Sequence, residues 1–263
     1  MPQQTGSARS YELLLIAVIA ARATSFIFSK MILESLAPFN LLAVRFIIAF
    51  VLLALIFNKA VRSLDARDLL AGTVIGTAFF ITMACEMIAL TQAASSLVSL
   101  LENCAIIFVP LIEILLYKKL PGKLTVISTG MAMLGVVLLA LGQGELSGGF
   151  TWGLAAGLCY AAAIIVTERL SHGSTATLGI GIVQVGTMGV LSFLAMLLTE
   201  TPQLPQSGSQ WLMLAMLIIV CTGFGFTLQP TCQRRPCGII LRSKPCHSST
   251  FRRNSIRRTL RHA

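Results

Sequence analysis

The chain has 263 residues, 56% of them hydrophobic and 11% charged, with a mean hydropathy of +0.84. A water-soluble domain carries about 25% charged residues to keep its surface wet, so this composition excludes a soluble globule and makes lipid the solvent for most of the chain. The formal charge of +10 is local: nine of the twenty Lys and Arg residues, and no acidic ones, lie from residue 231 onward, leaving eleven basic against ten acidic groups before them.

A helix crosses the hydrocarbon core with about 20 apolar residues. Taken in chain order, eight segments meet that length: 12–32, 38–58, 69–91, 95–117, 124–142, 150–168, 177–198 and 210–229. The first ten residues lack the charged region and cleavage site of a secretion signal, so 12–32 is expected to remain as a transmembrane helix. Turn-forming residues separate the segments, at Pro38, Pro121-Gly122, Gly148-Gly149, His172-Gly173 and from Pro202 to Gly208. The connections are short, which predicts antiparallel neighbours. Gly72 with Gly76, Gly130 with Gly135 and Gly153 with Gly157 recur inside the segments, a spacing that suits close helix packing in lipid. Cys85, Cys104, Cys159 and Cys221 fall in apolar runs and read as small buried hydrophobes, not as a disulfide framework.

Loop charge tests the count of spans. With the N-terminus in the cytoplasm, the inner side carries Arg9, then Lys59, Arg62 and Arg67, then Lys118, Lys119 and Lys123, then Arg169, then the basic tail; the outer side carries Lys30 alone. Positive charge resists translocation, so both termini are expected to be cytoplasmic.

Four stretches carry a family resemblance: residues 11–30 (YELLLIAVIAARATSFIFSK), 41–50 (LLAVRFIIAF), 89–121 (ALTQAASSLVSLLENCAIIFVPLIEILLYKKLP) and 130–139 (GMAMLGVVLL). They resemble the EamA-type branch of the drug/metabolite transporter superfamily, over roughly residues 11–230. The resemblance implies an all-α polytopic bundle, with about eight helices of a ten-helix fold built as two inverted five-helix repeats. It implies a cytoplasmic stretch 1–11, a first repeat over 12–142, an incomplete second repeat over 150–230 and a basic tail over 231–263. A shift of about 138 residues lays Arg22-Ala23 on Tyr160-Ala161 and Lys30 on Glu168, and one of 139 lays Arg45 on Gln184, as two copies would.

Two departures stand out. Arg22-Ala23 replaces the Trp-Gly that the family carries in its first helix, and helices nine and ten are expected to be missing. The tail TCQRRPCGIILRSKPCHSSTFRRNSIRRTLRHA reads as a shifted frame of apolar helices, an expectation that the nucleotide sequence of the gene tests.

Ionisable groups inside hydrocarbon cost about 2.5–3.5 kcal/mol each and are functional suspects. Arg45 and Glu102 each lie about seven residues from an outer helix end, roughly 10 Å deep at 1.5 Å per residue, and Glu86 lies slightly shallower. Arg45 is therefore expected to pair with Glu102 or Glu86. Glu113, Glu168 and Lys30 sit near helix ends and are expected to snorkel to water; Arg22 has no evident partner. The resemblance implies a substrate cavity near mid-membrane, for which Phe26, Arg45, Glu86, Gln92, Glu102, Asn103, Tyr160 and Gln184 are the candidate residues. It also implies a small-molecule substrate carried by alternating access across a bacterial inner membrane, coupled to protons or a counter-substrate. The competing expectation is a non-transporting product of a frameshifted gene, or a membrane scaffold.

Enzyme signatures are absent: there is no H-E-x-x-H, G-x-S-x-G, Walker loop or dinucleotide fingerprint. No cofactor is expected. Cys232, Cys237, Cys246 and His247 lack the paired spacing of a zinc site. The tail, with Phe251 as its one aromatic, lacks the base-reading or stacking groups of a nucleic-acid interface; its charge suits anionic lipid head groups.

Overall fold

The computed structural model describes residues 24–62, 64–117, 127, 129–131, 133–135, 148–171 and 177–218. Every regular element among them is helical. Residues 232–263, with the tail cysteines, lie outside the described residues, as do Arg22 and most of the predicted span 124–142.

Helix α1 is described over Thr24–Leu33. After a short turn comes α2, Pro38–Ile56, which opens on the residue whose fixed φ and missing N–H suit a first turn. Its predicted extension to 58 is interrupted at Phe57, and a separate short helix α3, Asn58–Arg62, follows with no buried residue. Helix α4, Ala66–Gln92, places Asp68 in its first turn, where a carboxylate complements the helix dipole. Its 27 residues extend about 40 Å, more than the roughly 30 Å of hydrocarbon.

The predicted helix 95–117 divides into α5, Ser95–Asn103, and α6, Ala105–Tyr117. At the junction the Cys104 N–H bonds the Leu101 carbonyl at 3.1 Å and the Ile107 N–H bonds the Cys104 carbonyl at 2.8 Å. Both bonds span three residues, so the turn is tightened without ending the span. Pro110 lies inside α6 and removes one further backbone bond. Helices α7, Gly148–Ser171, and α8, Thr177–Thr199, are long and apolar. Last comes α9, Gly208–Met216, opened by a reciprocal cap between Ser207 and Gln210.

Five spans among the described residues are long and apolar enough to cross a membrane: Pro38–Ile56, Ala66–Gln92, Ser95–Leu115, Gly148–Ser171 and Thr177–Thr199. Their outward faces are strongly apolar, with Leu115 80% and Leu198 85% exposed. Water does not tolerate such a continuous apolar girdle, whereas lipid does.

The centre of the bundle is α4, which packs on α7 and α8, while α2 packs on α8 and both α5 and α6 pack on α7. At two glycines a neighbouring backbone approaches closest. A Cβ at Gly76 would stand 2.7 Å from the Gln184 carbonyl oxygen and from Thr187 Cβ; one at Gly157 would stand 2.5 Å from the Leu101 carbonyl oxygen. Gly72 meets Val183 and Gly153 meets Leu101 in the same way. Gly130 and Gly135 do not conform to the expected pattern: nothing among the described residues lies within 4 Å of a Cβ built on either.

Contacts at the helix ends fix the direction of each helix. Lys30 at the end of α1 meets the last turn of α4, Gly148 at the start of α7 meets Gln92, Glu200 after α8 meets Asn40 of α2, and Gln210 of α9 meets Ser35. At the opposite end, Gly179 near the start of α8 meets Ala60 and Leu64. The spans therefore alternate in direction. The exposed Lys59, Arg62, Arg67 and Arg169 gather at the end that holds Gly179.

Candidate functional site

Among the described residues, three Arg and Glu side chains are buried in this apolar bundle: Arg45 is 3% exposed, Glu86 4% and Glu102 2%. None is isolated, since each makes a polar, ring or electrostatic contact. Removing such groups from solvent is costly unless they are compensated nearby, so their relative depth decides what they can do together.

Helix α4 serves as a ruler. Phe79 meets Tyr160 edge-on, with ring centroids 6.0 Å apart and planes at 75°, and Gln92 opposes Gly148; Gly157 of α7 is thus level with about Thr82. The Glu102 backbone lies against Gly157. On the other side, Gly76 meets Gln184 and Thr187, and antiparallel α2 places Phe50 on Gly186 and Ile47 on Gly189. Stepping along α8 brings Arg45 to about Thr82 as well. Arg45 and Glu102 therefore share a depth. Glu86 lies about one turn away, roughly 6 Å at 1.5 Å per residue, toward the end that carries Lys30.

The Arg45 guanidinium carbon stands 5.3 Å from the Phe46 ring centroid, within range of a cation–π attraction. Gln184 is 2% exposed with its backbone against Gly76, and Thr82 and Ser192 are fully buried. The hydroxyls of Ser29 and Ser192 have no hydrogen-bond partner among the described residues. Tyr160 is half-buried on Phe79. Polar groups from α2, α4, α5, α7 and α8 thus occupy the middle of the bundle.

Other sequence candidates fall elsewhere. Phe26 is 5% exposed and belongs to the main apolar core, which also contains Phe46, Phe79 and Met83. Gln92 is exposed at the end of α4. Asn103 is exposed, and its Nδ2 donates to the Ser99 carbonyl at 2.7 Å. Neither of those two joins the buried set. Glu113 and Glu168 are exposed near helix ends. Lys30 does not snorkel: half-buried, its Nζ donates to the Leu90 carbonyl and, at 3.0 Å, to the Ala93 carbonyl. Those carbonyls belong to the end of α4, where a cation satisfies groups that the helix leaves unbonded.

Sequence reasoning missed the polar cluster at the same end. Glu200 accepts from the Phe39 N–H at 2.9 Å, the Asn40 N–H at 2.9 Å and Asn40 Nδ2 at 2.8 Å. A signal was present in α2 itself: it has no side-chain cap and no acidic residue in its first turn, so its donors need a distant acceptor. Among the described residues, no group of three or more His, Cys, Asp and Glu is placed to hold a metal ion.

A polytopic bundle with charged groups buried between lipid-facing helices is the arrangement of a membrane transporter. The EamA-like transporter family matches residues 9–141, half of the chain, and the chain belongs to that family. The matched region contains Arg45, Glu86 and Glu102. No curated protein and no solved structure matches the chain.

Proposed function

We propose that this chain moves a small metabolite or drug across the cytoplasmic membrane by alternating access, with the flux coupled to protons or to a counter-substrate. The reading is carried by one observation: Arg45 and Glu102 are buried at one depth, with Glu86 about a turn away, at the junction of helices from the first and second halves of the chain. Membrane spans that only need to pack have no use for groups that cost about 2.5–3.5 kcal/mol each to insert. In this reading Arg45 pairs with Glu102. Glu86, Tyr160 and Gln184 complete the polar lining between the halves that rock. The exposed basic residues gathered at one end support, through the positive-inside rule, a reading in which that end and both termini are cytoplasmic.

Purified full-length chain in liposomes, tested for uptake and efflux against a panel of metabolites and drugs with and without a proton gradient, decides the matter. Gradient-dependent flux of at least one solute is expected. If no solute moves, while a chain expressed from a frame-repaired gene does transport, the competing reading of a non-transporting product replaces this one.

A further inference from the structure

The span Ser95–Leu115 is broken beside one of the buried charges, Glu102. The Cys104 N–H, whose regular helical acceptor is the Leu100 carbonyl, bonds the Leu101 carbonyl instead, at 3.1 Å. Two side chains reach back one turn to carbonyls of α5: Cys104 Sγ meets the Leu100 carbonyl at 3.5 Å, and Asn103 Nδ2 donates to the Ser99 carbonyl at 2.7 Å. They bring donors to a helix end, where the regular ones run out. Further along α6, Pro110 lacks the N–H that bonds the Ile106 carbonyl in an unbroken helix.

The two sides of this break are held differently. On the side of α5, Leu97, Val98, Leu101 and Glu102 are buried, and a Cβ on Gly157 would stand 2.5 Å from the Leu101 carbonyl oxygen. On the side of α6, burial ends at Ile107: none of the residues 108–115 is buried. Tightened turns and prolines are where helices bend. Here a clamped segment and a loosely held one meet next to Glu102.

We infer that the span hinges at Asn103–Cys104, and that a swing of α6 opens Glu102 to water from the end where the basic residues gather. Asn103 is then a positioning residue. Its amide ties off the last turn of α5, so that Glu102 stays turned inward while α6 moves. Hinges of this kind are a few positions at element ends that absorb a backbone change. The consequence for flux rests on the alternating-access reading, whereas the hinge itself does not.

The test labels full-length protein in liposomes with a water-soluble carbodiimide and glycine ethyl ester, which turn a water-accessible carboxyl into an amide, and follows each glutamate by mass spectrometry. Slow labelling of Glu102 is expected in the unsubstituted chain, with the exposed Glu113 and Glu168 as fast internal standards. Pro110→Ala restores the missing N–H, so Glu102 should label more slowly by about threefold or more, while the unfolding midpoint in detergent holds or rises. Damage to the fold would move both the other way. Asn103→Thr can reach the same carbonyl, as Thr82, Thr167 and Thr187 reach theirs four residues back, and should label like the unsubstituted chain. Asn103→Val has the same shape without the donor and should label Glu102 faster. Glu102 that never labels, or labels equally in Pro110→Ala, overturns the hinge. Equal labelling in Asn103→Thr and Asn103→Val overturns the role of Asn103. Solute flux is read on the same samples, with slower turnover expected in Pro110→Ala; unchanged turnover beside slowed labelling overturns the link between hinge and transport. A chain that labels as expected yet moves no solute overturns the proposed function and leaves the hinge standing.

Discussion

Glu200 caps a helix that begins about 160 residues earlier, with its carboxylate gripping Asn40 by both the backbone N–H and the side-chain amide, at 2.9 and 2.8 Å. Asn40 is fully buried and returns the contact to the same loop: its Nδ2 also donates to the Thr201 carbonyl at 3.1 Å, and its Oδ1 accepts from the Gln203 N–H at 2.7 Å. Helix α2 opens on Ala37 and Pro38 with no local side-chain cap. The orphan donors of its first turn are thereby satisfied, and a negative charge sits at the positive end of the helix dipole.

Hydrogen bonds to a charged group contribute about 1.5–3 kcal/mol each, and Glu200 accepts three. Glu200→Ala is expected to destabilise the protein by about 2 kcal/mol or more, and Glu200→Gln to recover only part, since its amide turns one acceptor into a donor facing another donor. Asn40→Ala removes bonds on both sides of the cluster and should cost at least as much. Because the two residues share partners, the double variant is expected to fall short of the sum. Thermal unfolding midpoints of the four proteins in detergent measure this, and strict additivity would show that the cluster does not act as a unit.

Close helix approach makes a sharper prediction at Gly76. A Cβ there meets the Gln184 backbone at 2.7 Å, and a backbone atom cannot swing aside as a flexible side chain can. Gly76→Ala and Gly157→Ala should each cost about 1–3 kcal/mol by overpacking. Gly208→Ala, where nothing lies within 4 Å, should be neutral or slightly stabilising, because alanine loses less backbone entropy than glycine on entering a helix. Unfolding of the three variants in one detergent separates packing from propensity. Equal losses at all three sites would refute the contact argument.

The same physical distinction explains what could be read in the chain before its structure. Apolar run length is a one-dimensional quantity, so five of the eight expected spans and their alternation are legible in it, as is the shared depth of Arg45 and Glu102. Direction around a helix axis is not one-dimensional. Adjacent residues differ by about 100° at 3.6 residues per turn, so run length does not tell which of Glu102 and Asn103 is turned into the bundle, and it is Asn103 that is exposed. Lys30 was placed near its helix end, but the carbonyls that it meets belong to α4, some 60 residues away. Partners at such separations leave no local trace. Asn40 and Glu200 went unnoticed for the same reason, as did the tightened turn at Cys104, whose Leu101 carbonyl faces Gly157 of another span.

The position of Lys30 has a measurable consequence. As a cation donating to the last carbonyls of α4, it should contribute about 0.3–1 kcal/mol through the helix terminus, rising toward 2 where the site is partly buried. Lys30→Met is expected to lower stability by about that amount, and Lys30→Arg to retain most of it. Hydrogen exchange should localise the loss to amides near residues 88–95. An unchanged exchange pattern in Lys30→Met would mean that the ammonium is better served by water than by α4.

The buried charges support the strongest test of the site. If Arg45 is balanced by Glu102, Arg45→Met leaves an uncompensated carboxylate in the bundle and should cost about 3–5 kcal/mol. Removing both charges, as Arg45→Met with Glu102→Gln, should recover most of that loss, because an apolar or neutral pair no longer carries the desolvation penalty. Arg45→Met with Glu86→Gln should recover less, since Glu86 lies about a turn away along α4. The two double-mutant cycles, read by unfolding in detergent, rank the partners directly; a larger coupling to Glu86 would reassign the pair. Flux assays on the same variants separate structure from transport. The rescued pair should fold and yet transport poorly if these charges handle substrate or protons. Full flux from stable Arg45→Met would remove Arg45 from the site.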